Sequence, residues 1–121
     1  MISPFKLETE FYFPEGCYIV EIHNRDSDED CSIVRARVEP GITTKLHAVQ
    51  GTVERYVILG GEGLVEIDRQ PAVLVKPLDV VVIPPGVPQR ITNIGQSNLL
   101  FLAICTPRFR EHAYIDLSAE E

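Results

Sequence analysis

The sequence predicts an all-β protein, a sandwich or closed barrel, and three observations carry that reading. Segments rich in β-branched and aromatic residues recur at about 8–12 residues, the spacing of strands joined by short turns. Turn chemistry falls between them, as Glu39-Pro40-Gly41, Gly60-Gly61-Glu62-Gly63 and Pro84-Pro85-Gly86. Helix signals are weak, with one short helical turn expected within residues 108–117, after Pro107.

The elements follow in order. Residues 17–22 form a first β-rich run, and the acidic stretch Asp26-Ser27-Asp28-Glu29-Asp30 then reads as a solvated turn. Residues 32–38 alternate, with Ile33, Arg35 and Arg37 on one side and Val34, Ala36 and Val38 on the other. Pro40 removes a ladder donor and Gly41 admits positive φ, so that strand ends there. Further strands are expected over 53–59, 64–68 and 72–76, the last two joined by Arg69-Gln70-Pro71. Residues 79–83 are a continuous apolar run of strand length, expected to be buried on both faces. Strands over 89–92 and 99–104 complete the set, and residues 118–121 form a frayed acidic tail.

A length of 121 residues and a hydrophobic fraction of 45% suit one domain with one core, spanning 1–121. The net charge of −7 argues against a nucleic-acid partner, which needs clustered Lys and Arg. Cys17, Cys31 and Cys105 are odd in number and lack zinc-ribbon or C-x-x-C spacing. They read as reduced thiols of a cytoplasmic protein. The start, Met1-Ile2-Ser3-Pro4-Phe5-Lys6, has no apolar signal core, and no apolar run approaches the ~20 residues of a membrane helix.

Strand side chains alternate faces, so residues two apart point the same way. His47 and Val49 form one such pair. Glu54, Tyr56 and Ile58 form a second set, and Gln89, Ile91 and Asn93 a third. If these faces look into one barrel, His47, Glu54 and Gln89 converge, and a barrel of about eight strands has room inside for one small ligand.

Spacing around these residues resembles the two motifs of the cupin superfamily. Gly41, His47, Glu54 and Gly61 fall in the register of the first, with Val49 where a second histidine usually stands. Pro84, Gly86 and Asn93 match the second, with Leu78 replacing its first glycine and Gln89 its histidine. The resemblance covers residues 30–106, leaving an N-terminal strand segment (1–30) and a C-terminal tail (107–121). It implies a double-stranded β-helix, jelly-roll-like, of two antiparallel sheets, and a homodimer.

The resemblance places His47, Glu54 and Gln89 at metal-ligand positions, around one weakly held divalent ion (Zn, Ni, Fe or Mn). Val49 offers no donor, and one imidazole, one carboxylate and one amide make a thin set for a transition metal. A metal-free hydrogen-bonded network of the same three side chains stands beside that reading. Either way the interior is expected to take a small polar ligand, lined by Val49, Tyr56 and Ile91. Three functions remain open: a binding module, a metal-dependent isomerase or oxygenase, and a metal-free epimerase-like enzyme with Glu54 or His47 as base. No residue is singled out as catalytic beyond those two.

Other features are read plainly. Cys105 is expected to pack, and His23 and His112 to be ordinary histidines. The acidic run lacks the glycine and glutamate of a calcium loop, and the glycine cluster at 60–63 lacks a following Lys-Ser/Thr. The aromatic N-terminus (Phe5, Phe11, Tyr12, Phe13) either docks on a partner or closes one end of its own barrel.

Overall fold

The computed structural model of the chain describes residues 1–120. Eleven strands are present among them: β1 (Phe11–Phe13), β2 (Cys17–His23), β3 (Ser32–Val38), β4 (His47–Val49), β5 (Val53–Gly60), β6 (Gly63–Ile67), β7 (Val73–Val75), β8 (Val80–Ile83), β9 (Gln89–Asn93), β10 (Leu99–Thr106) and β11 (Tyr114–Asp116). They make two antiparallel sheets. One runs β1-β2-β3-β10-β5-β8 and the other β11-β4-β9-β6-β7. This is the double-stranded β-helix that the motif spacing implies.

The longest pairing carries the alternation read in the sequence. β3 and β10 pair from Val38↔Leu99 to Ser32↔Cys105. Leu99, Phe101, Ala103 and Cys105 are buried while their neighbours reach the surface. On the outer face of β3, Arg35 and Arg37 converge on Glu10, at 2.8 Å and 2.7 Å. Arg37 also lies over the Tyr18 ring, 4.2 Å from its centroid, and Arg35 over Phe5 at 5.0 Å. These guanidinium contacts lay the N-terminal segment across the first sheet and hold the Glu10 carboxyl below its usual pKa.

Residues 79–83 correct the expectation of a strand buried on both faces. β8 belongs to one of two facing sheets, so only one of its faces meets the other sheet and its outer face stays open. Val81 and Ile83 point into the core, whereas Val80 and Val82 are 59% and 54% exposed. The short helical turn expected within residues 108–117 is present as the 3-10 turn Glu111–Ala113, and the chain then enters β11, a strand not expected there, which pairs with β4. At the C-terminus Ser118–Glu120 form another 3-10 turn, and residue 121 of the expected tail lies outside the described residues.

Two motif residues work structurally. Gly61 has φ +82°, and a Cβ there would stand 2.8 Å from the Asn98 carbonyl oxygen, so only glycine fits. Buried Asn93 donates to the carbonyls of Val38 and Ser97, both at 2.8 Å, and accepts from the Gly95 amide at 2.9 Å. That closes the turn between β9 and β10 with every amide group used. The acidic run at 26–30 is pinned rather than merely solvated. Asp28 meets His23 at 2.8 Å, and Arg108 meets Asp26 at 2.6 Å.

The space between the sheets divides in two. At the β6–β7–β8 end it is filled by Ile58, Val65, Val75, Val81, Ile83, Ile91 and Leu99. At the β1–β11 end it is hollow. No helix among the described residues is long and apolar enough to cross a membrane.

Candidate functional site

The hollow is a pocket of about 310 Å³ open to solvent. Its walls come from β1, β2, β3, β10 and β5 on one side and from β4 and β11 on the other. Phe11 and Phe13 line it, so part of the aromatic N-terminus closes its own barrel. Phe109 covers it from the C-terminal side. Its backbone carbonyl accepts from Asn24 at 3.0 Å and its amide donates to Ser32 Oγ at 2.9 Å.

His47 enters from β4 and is 2% exposed. Its Nδ1 lies 2.7 Å from the Lys45 carbonyl oxygen, which only accepts, so Nδ1 carries a proton. Tyr114 of β11 stacks on the ring, with centroids 5.2 Å apart and planes within 16°. Nε2 is thereby turned toward Glu15, whose Oε1 stands at 3.1 Å. Burial raises the Glu15 carboxyl to about 7, against hydrogen bonds from Cys17 and Tyr114. Burial also lowers His47 below its usual value. Both shifts favour the neutral pair, with the Glu15 acid donating to Nε2.

Glu54 enters from β5. Gln89 on β9 is fully buried and donates from Nε2 to Glu54 Oε1, while its own Oε1 accepts the Tyr56 hydroxyl. Cys105 Sγ lies 3.9 Å from the other Glu54 oxygen. Burial, and then the nearby Glu15, raises Glu54 to about 7, opposed by His47, Gln89 and Cys105. Tyr56 itself is pushed well up by burial and stays a phenol. The pocket floor thus holds two carboxyls raised to about 7 beside a buried imidazole, an arrangement able to give and take protons.

The structure brings His47, Val49, Glu54 and Tyr56 to this pocket. Gln89 sits one layer behind, between Glu54 and Tyr56, and does not face the hollow. Ile91 is in the packed half of the barrel, near Leu99 and Gly63, and is not part of the lining. Glu15 and Tyr114 were not legible as site residues. A single acid in Pro14-Glu15-Gly16 looks like any exposed turn, and Tyr114 lay in the segment expected to be helical.

The donors do not fit a resident transition metal. Val49 contributes nothing, the Gln89 oxygen is taken by Tyr56, and Nε2 of His47 is engaged by Glu15. Among the described residues no three His, Cys, Asp or Glu side chains stand together as a metal-holding group.

Comparison with known proteins places the chain. Residues 34–105 match the sequence model described as the cupin domain. An uncharacterised protein of Methanocaldococcus jannaschii is 37% identical over 78 residues, which cover 64% of this chain and 62% of that relative's length. Among solved structures, Pac13, described as a nucleoside dehydratase, superposes with TM-score 0.77 at 16% identity, over 94% of this chain and 89% of its own. A predicted oxalate decarboxylase of Thermotoga maritima gives TM-score 0.74 at 23% identity, over 86% and 98%. These structural likenesses carry the fold alone.

Proposed function

The chain belongs to the cupin-domain family, and on that premise we propose that it takes a small polar organic molecule into the interior pocket without a resident metal and exchanges protons with it. The carrying observation is the floor of that pocket, where Glu54 and the Glu15–His47 pair face one apolar-walled space. Glu54 is the proton acceptor or donor on the β5 side. The Glu15–His47 pair, held by Lys45 and Tyr114, serves the opposite side. Gln89 and Tyr56 position Glu54 from behind. Isomerisation, epimerisation and elimination can each use two such groups, one taking a proton and one giving it. Pac13, a nucleoside dehydratase of the same fold that has also been solved with uridine, is compatible with this reading.

The test starts from a thermal-shift screen of small hydroxylated and carbonyl compounds, since a ligand of the folded state raises its melting temperature. A hit is then incubated in heavy water and its carbon-bound hydrogens followed by NMR. The proposal expects exchange that chelator does not affect and that falls about 100-fold in Glu54→Gln. Tight binding with no exchange leaves a binding module. Loss of exchange on chelation, restored by Zn, Ni, Fe or Mn, revives the metal-dependent reading and overturns this one. The homodimer implied by the family likeness is a separate proposal, read directly by light scattering.

A further inference from the structure

The pocket walls carry an unbalanced charge. Glu15 and Glu54 are on the floor, Glu21 and Glu111 stand nearer the mouth, and no Lys or Arg is among the lining residues. The only basic side chain there is His47, which burial keeps neutral. Between the acids the lining is aromatic. Tyr114 and Phe13 meet edge to face at 5.3 Å, and Tyr56 and Phe101 pack at 4.3 Å. Phe11 and Phe109 complete the walls.

Aromatic faces are electron-rich, and burial keeps the floor acids protonated until a cation stands beside them and favours their charged form. An anionic ligand such as oxalate would meet four acids and no donor of positive charge. A neutral ligand would leave the floor acids protonated and draw nothing from their charge. A compact organic cation satisfies both features at once, its alkyl groups against the rings and its charge toward Glu54 and Glu15. We propose that the ligand class of this pocket is a small alkylammonium or protonated amine. This rests on the reading that the pocket is the ligand site, and it names the ligand's charge, which that reading leaves open.

The test compares matched probes that differ only in charge. Choline and its uncharged isostere, with carbon in place of nitrogen, are titrated by calorimetry into the whole protein, and the same is done for benzylamine and benzyl alcohol. The expected result is that each cation binds at least about tenfold more tightly than its neutral partner, a difference of about 1.4 kcal/mol. That preference should shrink in Glu54→Gln, whose circular dichroism and melting curve confirm the fold. Glu21→Gln, at the rim, gives a second and structurally mild check in the same direction. Equal or tighter binding of the neutral members, or binding of none of the four, overturns the cation proposal. If neutral sugars or carbonyl compounds still bind in competition with one another, the pocket reading survives that failure. If no small molecule of any charge binds, the pocket reading fails too.

Discussion

Leu78 shows how one side chain records a departure from the family pattern. It stands where the second motif usually has glycine, and its backbone is in the left-handed region, with φ +75°. That conformation costs an ordinary L-residue about 1–2 kcal/mol. The side chain recovers little, because it is 81% exposed. The backbone is held there all the same, since the Leu78 amide donates to Ile58 at 2.8 Å. Replacing Leu78 by glycine removes the strain but frees the unfolded chain, which offsets roughly 0.5–1 kcal/mol. The net expectation is a gain of up to about 1 kcal/mol, seen as a higher urea midpoint at unchanged slope. A lower midpoint would mean that the exposed leucine makes contacts worth more than the strain. Gly61 is the opposite case. The Asn98 carbonyl leaves no room for a Cβ, so the motif glycine is kept for space as well as for φ.

At the scale of the element, what the sequence made legible depended on how a strand meets its neighbours. β3 and β10 were readable because each has one face inward, and alternation reports that directly. β8 was not, because Val80-Val81-Val82-Ile83 is apolar on both faces, and periodicity cannot tell a strand covered on both sides from one with an exposed apolar face. Mutation can separate the two faces. Val81→Ala removes buried methyl groups beside Ile83 and Tyr56 and should cost about 1–3 kcal/mol. Val82→Thr faces out and should stay within about 0.5 kcal/mol of the parent. Comparable losses at both positions, measured by denaturant unfolding, would mean that the outer face is covered in solution. β11 escaped notice for another reason. It is three residues long, and what fixes it is pairing with β4 across some sixty residues of sequence, which no local pattern reports.

The whole molecule combines a legible scaffold with a site only half legible. His47, Glu54 and Tyr56 reach the pocket because they sit on strands whose facing follows from alternation. Glu15 reaches it because the turn between β1 and β2 is held against the second sheet by the Lys45 amide on its carbonyl at 2.7 Å, a tertiary event. The resulting pair of buried acids sets how stability varies with pH. Glu15 and Glu54 are raised from 4.5 to about 7, so the native state holds two protons that the unfolded chain releases. Their stabilising contribution is full below about pH 4.5 and is lost as pH climbs through about 7. His47 acts with the opposite sign. Its lowered value means that stability is lost as pH falls below about 6.5, but it is one group against two. Glu10, Asp28 and Asp116, all lowered by their hydrogen-bond partners, lose their contributions only below about 4.5 and so shape the acid limb. The melting temperature is therefore expected to fall from about pH 5 to about pH 8. Glu54→Gln should flatten that decline by removing one of the two acids. A melting temperature that rises over the same interval would mean that both acids ionise freely in the native state. The proton-exchanging floor proposed for this barrel would then have no basis.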